Sequence, residues 1–339
     1  MHIVITGGAG FLGVRLARAL IEKNSLSLAG APAEAITRLS LVDRAEPPAD
    51  LLADPRVTAV VGDLNALLAE RGEAVVPADA KVIFHLAAAV SGECEADFDL
   101  GMRSNLDATR ALLEACRAGK TVPTVVFASS LAVFGHSDEQ PLPSTIEDNT
   151  LPTPLTSYGI QKFIGEQLTA DFGRKGFIRG RNIRLMTVSV RPGKPNGAAS
   201  SFFSGMIREP LAGVPGACPV TPDTPVALSS PGLTVRGIVR AAEATDAEWG
   251  PRTAVNLPAL ATTVGEMAAA LERVAGKEVA ALIDWTPDAN IRRIVATWPG
   301  RIDAQRARGL GLLPDADFDT VIRDYIRENP HAIAQPVRP

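Results

Sequence analysis

The chain has 339 residues, 46% hydrophobic and 21% charged, with a formal net charge of −4. That composition builds one large or two modest globular domains, and the lack of a basic stripe or long like-charge run argues against nucleic acid as the main partner. No apolar run is long enough to span a bilayer; three cysteines without a C-x-x-C pair and four histidines argue against a zinc site, so no metal is expected and Cys94, Cys116 and Cys218 read as free thiols.

His2–Thr6 is a short apolar run suited to a strand buried on both faces. No basic, signal-like segment precedes it, and the protein is expected to be cytoplasmic. Gly7-Gly8-Ala9-Gly10-Phe11-Leu12-Gly13 follows, then a helical pattern through Leu16, Ala19 and Leu20. Gly7, Gly10 and Gly13 permit a tight turn, close approach of the backbone to a pyrophosphate, and close helix packing. The helix start, at Phe11 and Leu12, offers free N–H groups to phosphates. Strand, glycine turn and helix together point to a dinucleotide.

The second strand, Leu39–Val42, ends at Asp43 after a long stretch, Asn24–Arg38, that reads as an insertion. A carboxylate there accepts both ribose hydroxyls and repels a 2′-phosphate, which favours NAD; Arg44 beside it is the residue that could serve NADP. Val57–Val61 is a third strand, closed by Gly62-Asp63-Leu64. Asp63 is read as meeting an adenine amine, with helix capping as the other role. Lys81–Leu86 is a fourth strand leading into Ala87-Ala88-Ala89, small residues against which a cofactor lies. His85 reads as a core histidine. Ser91 follows the strand's carboxyl end, where open α/β sheets bind ligands.

Met102–Arg117 is helical by pattern, with Asn105 in it placed to hold a water or a backbone carbonyl near the active site. Thr124–Ala128 is a fifth strand, and Ser130 just beyond it is suited to bond a substrate oxygen. Pro141–Pro154 is a proline-rich loop. In the helix Thr156–Asp171, Tyr158 and Lys162 stand four apart on one face. A cation there stabilises a tyrosinate and gives a base for an alcohol proton; alone, the spacing equally fits a packed aromatic beside a surface lysine.

Ile183–Val190 is a sixth strand. Beyond it come a loop with Lys194 and Asn196, a short helix carrying Arg208, an irregular stretch Pro219–Pro231, a helix Thr234–Ala244 and a strand Ala254–Leu257. A helix Val264–Ala275, a strand Val279–Asp284 and helices Ile291–Val295, Arg301–Arg308 and Phe318–Glu328 finish the chain. The fold expected is α/β, a Rossmann-type doubly wound parallel sheet over residues 1–190 with a later contribution near 230–258. Residues 191–339 form a smaller mixed substrate domain.

Thr6 to Gly13, Gly62-Asp63-Leu64, His85 to Ala88, Ser129-Ser130 to Phe134-Gly135 and Tyr158 to Lys162, in that order, resemble the extended short-chain dehydrogenase/reductases, the NAD-dependent epimerase/dehydratase group. The resemblance implies catalysis by Ser130, Tyr158 and Lys162. It also implies a homodimer built on Asn105–Arg117 and Thr156–Asp171. A narrower likeness, in Ala96–Gly101, Ser157–Lys162 and Val190–Gly205, is to dehydrogenases of small sugar acids, and implies NAD-dependent oxidation of a C2 hydroxyl to a 2-oxo acid. Ser91, Ser130, Lys194, Asn196 and Arg208 are the substrate-binding candidates. Leu131-Ala132 stands where the family's dehydratases carry an Asp-Glu pair, which argues against dehydration. The rivals are a nucleotide-sugar 4-epimerase and a non-catalytic dinucleotide sensor; the latter has no need of Ser130, Tyr158 and Lys162 together.

Overall fold

The computed structural model describes residues 1–193 and 197–334. They form two units. One comprises Met1–Ser130, Ser157–Arg184 and Val235–Val255, the other Leu131–Thr156, Leu185–Thr234 and the chain from Asn256.

A seven-stranded sheet organises the first unit. Its strands are β1 (His2–Thr6), β2 (Arg38–Asp43), β3 (Val57–Val61), β4 (Ala80–His85), β5 (Thr124–Ser130), β6 (Arg179–Leu185) and β7 (Val255–Asn256), in the order β7-β6-β5-β4-β1-β2-β3. Every residue of β1 is buried, as a central strand covered on both faces requires. It pairs in parallel with β2, Ile5 opposite Leu41, and with β4, Ile5 opposite Phe84. Strand order reverses between β1 and β4, and the crevice at such a reversal is where open α/β sheets hold ligands.

The helices used below are α1 (Phe11–Lys23), α2 (Leu64–Val75), α3 (Ser91–Ala96), α4 and α5 (Ser157–Arg174). α4 opens as a π-helical stretch, Met102–Asp107, and continues as Ala108–Ala118. Leu112, Leu113 and Cys116 recur at helical spacing and pack with Leu67 and Val75 of α2 on Val4, Ile83 and Val125 of the sheet. Each such side chain contributes roughly 1.5–3 kcal/mol by leaving water. The Asn24–Arg38 insertion folds as a short antiparallel hairpin, Ser25–Leu26 with Glu34–Ala35.

β6 starts at Arg179, earlier than the apolar run beginning at Ile183 suggests. The residues that hide it are polar but buried, and each finds a hydrogen-bond partner within the unit. Arg181 donates to the Ala244 carbonyl and to Asp246, and Asn182 to the Glu166 carbonyl.

The second unit has its own core, in which Phe203, Met206, Ile207, Leu228, Met267, Leu271 and Ile322 are completely buried. Its helices include Phe202–Leu211, Val264–Ala275 and Phe318–Glu328. Three expectations need correction here. The stretch Pro219–Pro231 is not all irregular: Pro225–Ser229 is a strand, antiparallel to Leu260–Thr263 and parallel to Thr187–Val188. Pro225 stands at its first residue, where proline is tolerated. Val279–Asp284 is not one strand: Gly276, at φ 96°, ends the preceding helix, Lys277–Ala280 makes a further helical turn, and only Ile283–Asp284 pairs, with Gly216–Ala217. Arg301–Arg308 is helical only from Gln305, because Ile302–Asp303 pairs with Ile146–Glu147 inside the proline-rich loop. Among the described residues no helix is long and apolar enough to cross a membrane.

Candidate active site

The turn after β1 is built by its glycines. Gly7 sits at φ 74°, and its N–H and that of Gly8 both donate to the Val42 carbonyl, at 2.8 and 3.2 Å. A Cβ on Gly13 would lie 2.0 Å from the Gly7 oxygen, so only glycine lets α1 seat on the turn. Gly10 is the N-cap of α1 and brings no side chain to it. The first N–H groups of α1, from Phe11 and Leu12 on, thus form the kind of electropositive helix end that takes a pyrophosphate.

At the end of β2 the Asp43 carboxylate accepts from the N–H groups of Ala9, Arg44 and Ala45, at 3.0, 2.7 and 3.3 Å. It is fastened to the glycine turn and faces the same strand ends. Arg44 does not stand alone. Its Nε and Nη2 donate to one oxygen of Asp63, at 3.2 and 2.5 Å. The other oxygen caps α2 at the N–H groups of Asn65 and Ala66, one residue past Leu64. The Arg44 guanidinium, with the capping N–H groups, holds the Asp63 carboxyl below the usual range. Asp63 therefore performs the capping role and also anchors Arg44.

β4 ends in a hydrogen-bonded relay. The Thr109 hydroxyl donates to the Asn105 carbonyl at 2.6 Å, so its oxygen accepts from His85 Nε2–H at 2.9 Å. That leaves Nδ1 to accept the Thr6 hydroxyl at 2.6 Å. Burial, with Lys162 nearby, pushes His85 down to about 3, so it stays neutral. The chain at Ala87 runs hard against Gly7, where a Cβ would meet the Ala87 nitrogen at 2.8 Å. Asn105, on the π-helical stretch, holds a backbone carbonyl: its Nδ2 donates to Ala89 O at 3.2 Å and to Gln161 Oε1 at 2.8 Å, while its Oδ1 accepts from Ala89 N–H at 2.8 Å. Ser91 is buried at the first position of α3.

Ser130 closes β5, and Tyr158 and Lys162 rise from the first turns of α5. The Glu95 carboxylate accepts from Ser157 N–H at 2.7 Å, which fixes the start of that helix. Lys162 is 3% exposed, and its Nζ donates to the Ala128 carbonyl at 2.8 Å. It lies 5.7 Å from the Tyr158 ring centroid and 5.0 Å from that of Phe127. Burial pushes its ammonium down to about 8, against the pull of Cys94 and Glu166, which raise it. The lysine is thus no surface residue beside a packed ring. It is a desolvated cation aimed at the strand end that carries Ser130.

One turn further on, the Glu166 carboxylate is buried with Arg184, whose Nε and Nη2 donate to its two oxygens at 2.8 and 2.7 Å. It also accepts the Ser129 hydroxyl at 2.5 Å. Glu166, Arg184 and Gln161 escape a reading by motif. The available signal is the continuation of the Tyr158, Lys162 spacing to Glu166, which keeps all three on one helix face.

Of the substrate-binding candidates, Lys194 and Asn196 lie outside the described residues. Arg208 is buried in the second unit, donates to the Arg191 carbonyl at 2.8 Å and is paired with Glu209. In the same unit the Arg191 N–H donates to the Ser204 hydroxyl, and its guanidinium reaches Ser200 at 3.5 Å. The three cysteines are free and buried.

The chain is similar to known proteins over nearly its whole length. The chain is 50% identical over 330 residues to the D-erythronate dehydrogenase of Cupriavidus necator, covering 97% of this chain and 98% of that one. It is 40% identical to the D-erythronate dehydrogenase of Haemophilus influenzae, over 96% and 99% of the two chains. A crystal structure described as a nucleoside-diphosphate-sugar epimerase from Agrobacterium tumefaciens is 42% identical, with a TM-score of 0.88 over 98% of this chain and 95% of that one. Residues 3–247 match the model of the NAD dependent epimerase/dehydratase family, and with the glycine turn, Asp43 and the Tyr158–Lys162 face in place, the chain belongs to that family.

Proposed function

We propose that the protein is an NAD-dependent dehydrogenase that oxidises the C2 hydroxyl of D-erythronate to the 2-oxo acid. The observation that carries the reading is the buried Lys162 ammonium beside Tyr158, tied to the end of β5 next to Ser130. The names of the relatives covering nearly the whole chain support the substrate. Gly7, Gly10, Phe11, Leu12 and Gly13 hold the pyrophosphate, Asp43 the adenosine ribose, and Asp63 and Leu64 lie toward the adenine. Ala87 and Asn105 line the cofactor's path, and Tyr158 and Lys162 flank the nicotinamide end.

Bound NAD⁺ supplies the acceptor for the hydride that leaves C2. Tyr158 Oη, as tyrosinate, takes the proton of the C2 hydroxyl, favoured in that state by the Lys162 charge. Ser130 Oγ donates to the same oxygen as it becomes alkoxide-like. Ser91, Lys194, Asn196 and Arg208 remain the candidates for the substrate carboxylate and hydroxyls. A screen of C4 and C5 aldonic acids with NAD⁺, read as NADH formed, tests the assignment; turnover confined to other alcohols overturns it.

A second reading, a nucleotide-sugar 4-epimerase, is favoured by the description of the Agrobacterium tumefaciens structure. An epimerase returns its hydride and accumulates no NADH, so the same screen separates the two. The protein acts as a homodimer through α4 and α5. Phe98, Ile160 and Ile164 are large apolar side chains left exposed on or beside these helices. Light scattering of Ile160→Glu tests that assembly: a monomer is expected, and an unchanged dimer excludes this face.

A further inference from the structure

Successive residues of β5 are met by groups on one stretch of α5. A Cβ on Gly165 would touch Phe127 at 2.5 Å, so helix and strand are in close contact there. Lys162 Nζ donates to the Ala128 carbonyl at 2.8 Å. The Glu166 carboxylate accepts the Ser129 hydroxyl at 2.5 Å. Ser130 is the next residue along the strand.

The third of these contacts is anchored from the far side. Arg184 of β6 binds both oxygens of Glu166, and Asn182 of the same strand donates to the Glu166 carbonyl at 2.9 Å. Side chains of both charged residues are nearly inaccessible, at 4% and 2%. Stability alone does not call for such a pair, because apolar residues of similar volume usually serve a core as well or better. What the pair supplies is direction. A bidentate guanidinium leaves the carboxylate one orientation, and the remaining lone pairs of Oε1 face Ser129.

We infer that Ser129, Glu166 and Arg184 are positioning residues for the reaction, a clamp that sets the end of β5, and with it the Ser130 hydroxyl, against the face of α5 that carries Tyr158 and Lys162. The inference rests on the assignment of Ser130, Tyr158 and Lys162 as the reacting groups. Two hydroxyls converging on one substrate oxygen tolerate little error, since a displacement of about 1 Å costs on the order of a hundredfold in rate. None of the three clamp residues touches substrate.

Ser129→Ala is the test. It removes the tether to the strand while Glu166 and Arg184 remain paired, whereas Glu166→Gln leaves a buried arginine uncompensated and risks the fold. Stopped-flow single turnovers with D-erythronate and NAD⁺ report two quantities: amplitude counts active sites, and rate reports hydride transfer. For Ser129→Ala the rate is expected to fall about tenfold to a hundredfold with full amplitude and an NAD⁺ affinity within about twofold of wild type. A wild-type rate, with or without loss of amplitude, overturns the inference, because a residue that only holds the fold changes the number of active molecules. Tyr158→Phe serves as control. If it too transfers hydride at the wild-type rate, the assignment of the reacting groups fails; if it is slow and Ser129→Ala is normal, the clamp alone fails.

Discussion

Tyr158 and Lys162 lie on one face of α5 with the ammonium 5.7 Å from the phenol ring centroid, and the lysine is sealed from water. On the proposed mechanism, replacing Tyr158 by Phe keeps the ring and removes the base. Turnover is expected to fall about 10²–10⁴-fold, with NAD⁺ binding near normal by fluorescence titration. A few-fold loss would remove Tyr158 from the chemistry.

The buried Lys162 ammonium costs the fold stability. The ammonium is pushed down to about 8 by burial, from an ordinary value of 10.5. Between these values the unfolded chain binds more protons than the native one, so native stability rises with pH across that window and is at its lower level below it. The cost of the buried charge at neutral pH is on the order of 3 kcal/mol. Lys162→Met should lose most turnover yet unfold in urea no more easily than wild type at pH 7, and its relative advantage should shrink as pH rises from 8 to 10.5. A variant much less stable than wild type at pH 7 contradicts this.

His85 gives the fold an acid limit. Its imidazole is held down to about 3 and that of His2 to about 4, both chiefly by burial. Each takes up a proton on unfolding once pH drops below about 6.5, so stability is full above that pH and falls by about 1.4 kcal/mol per pH unit per histidine below it. His85→Gln should cost about 1–3 kcal/mol at pH 7. It should also show a shallower slope than wild type between pH 6 and 4. Parallel slopes would mean that burial beside Lys162 does not keep the ring neutral.

On the proposed assignment, Asp43 and the Arg44–Asp63 pair together set the choice of cofactor. Asp43→Asn should raise the NADP⁺ to NAD⁺ ratio of kcat/KM at least about tenfold, the effect of roughly 1.4 kcal/mol of lost repulsion. Adding Asp63→Asn releases Arg44 and should raise it further. An unchanged ratio in the double variant would show that another group excludes the 2′-phosphate.

Much of this was legible in the residues themselves. His2–Thr6, Val57–Val61, Val264–Ala275 and Phe318–Glu328 fold with the bounds their apolar spacing suggests. The glycine turn was equally plain, because Gly7 and Gly13 are demanded by backbone contacts that no other residue survives. The start of β6 was hidden because Arg181, Asn182 and Arg184 are buried through specific partners, and partners far along the chain leave no periodic trace. Glu166 and Gln161 were missed for the same reason. Pro225–Ser229 looked irregular because prolines flank it, although strand neighbours on both sides fix it.

Stoichiometry tests the central claim most directly. Protein, D-erythronate and excess NAD⁺ are run to completion, and NADH is compared with 2-oxo acid trapped by a carbonyl reagent. One NADH per 2-oxo acid, abolished in Tyr158→Phe, is the result expected. Conversion of substrate without NADH, or NADH formed at the same rate by Tyr158→Phe, would contradict it.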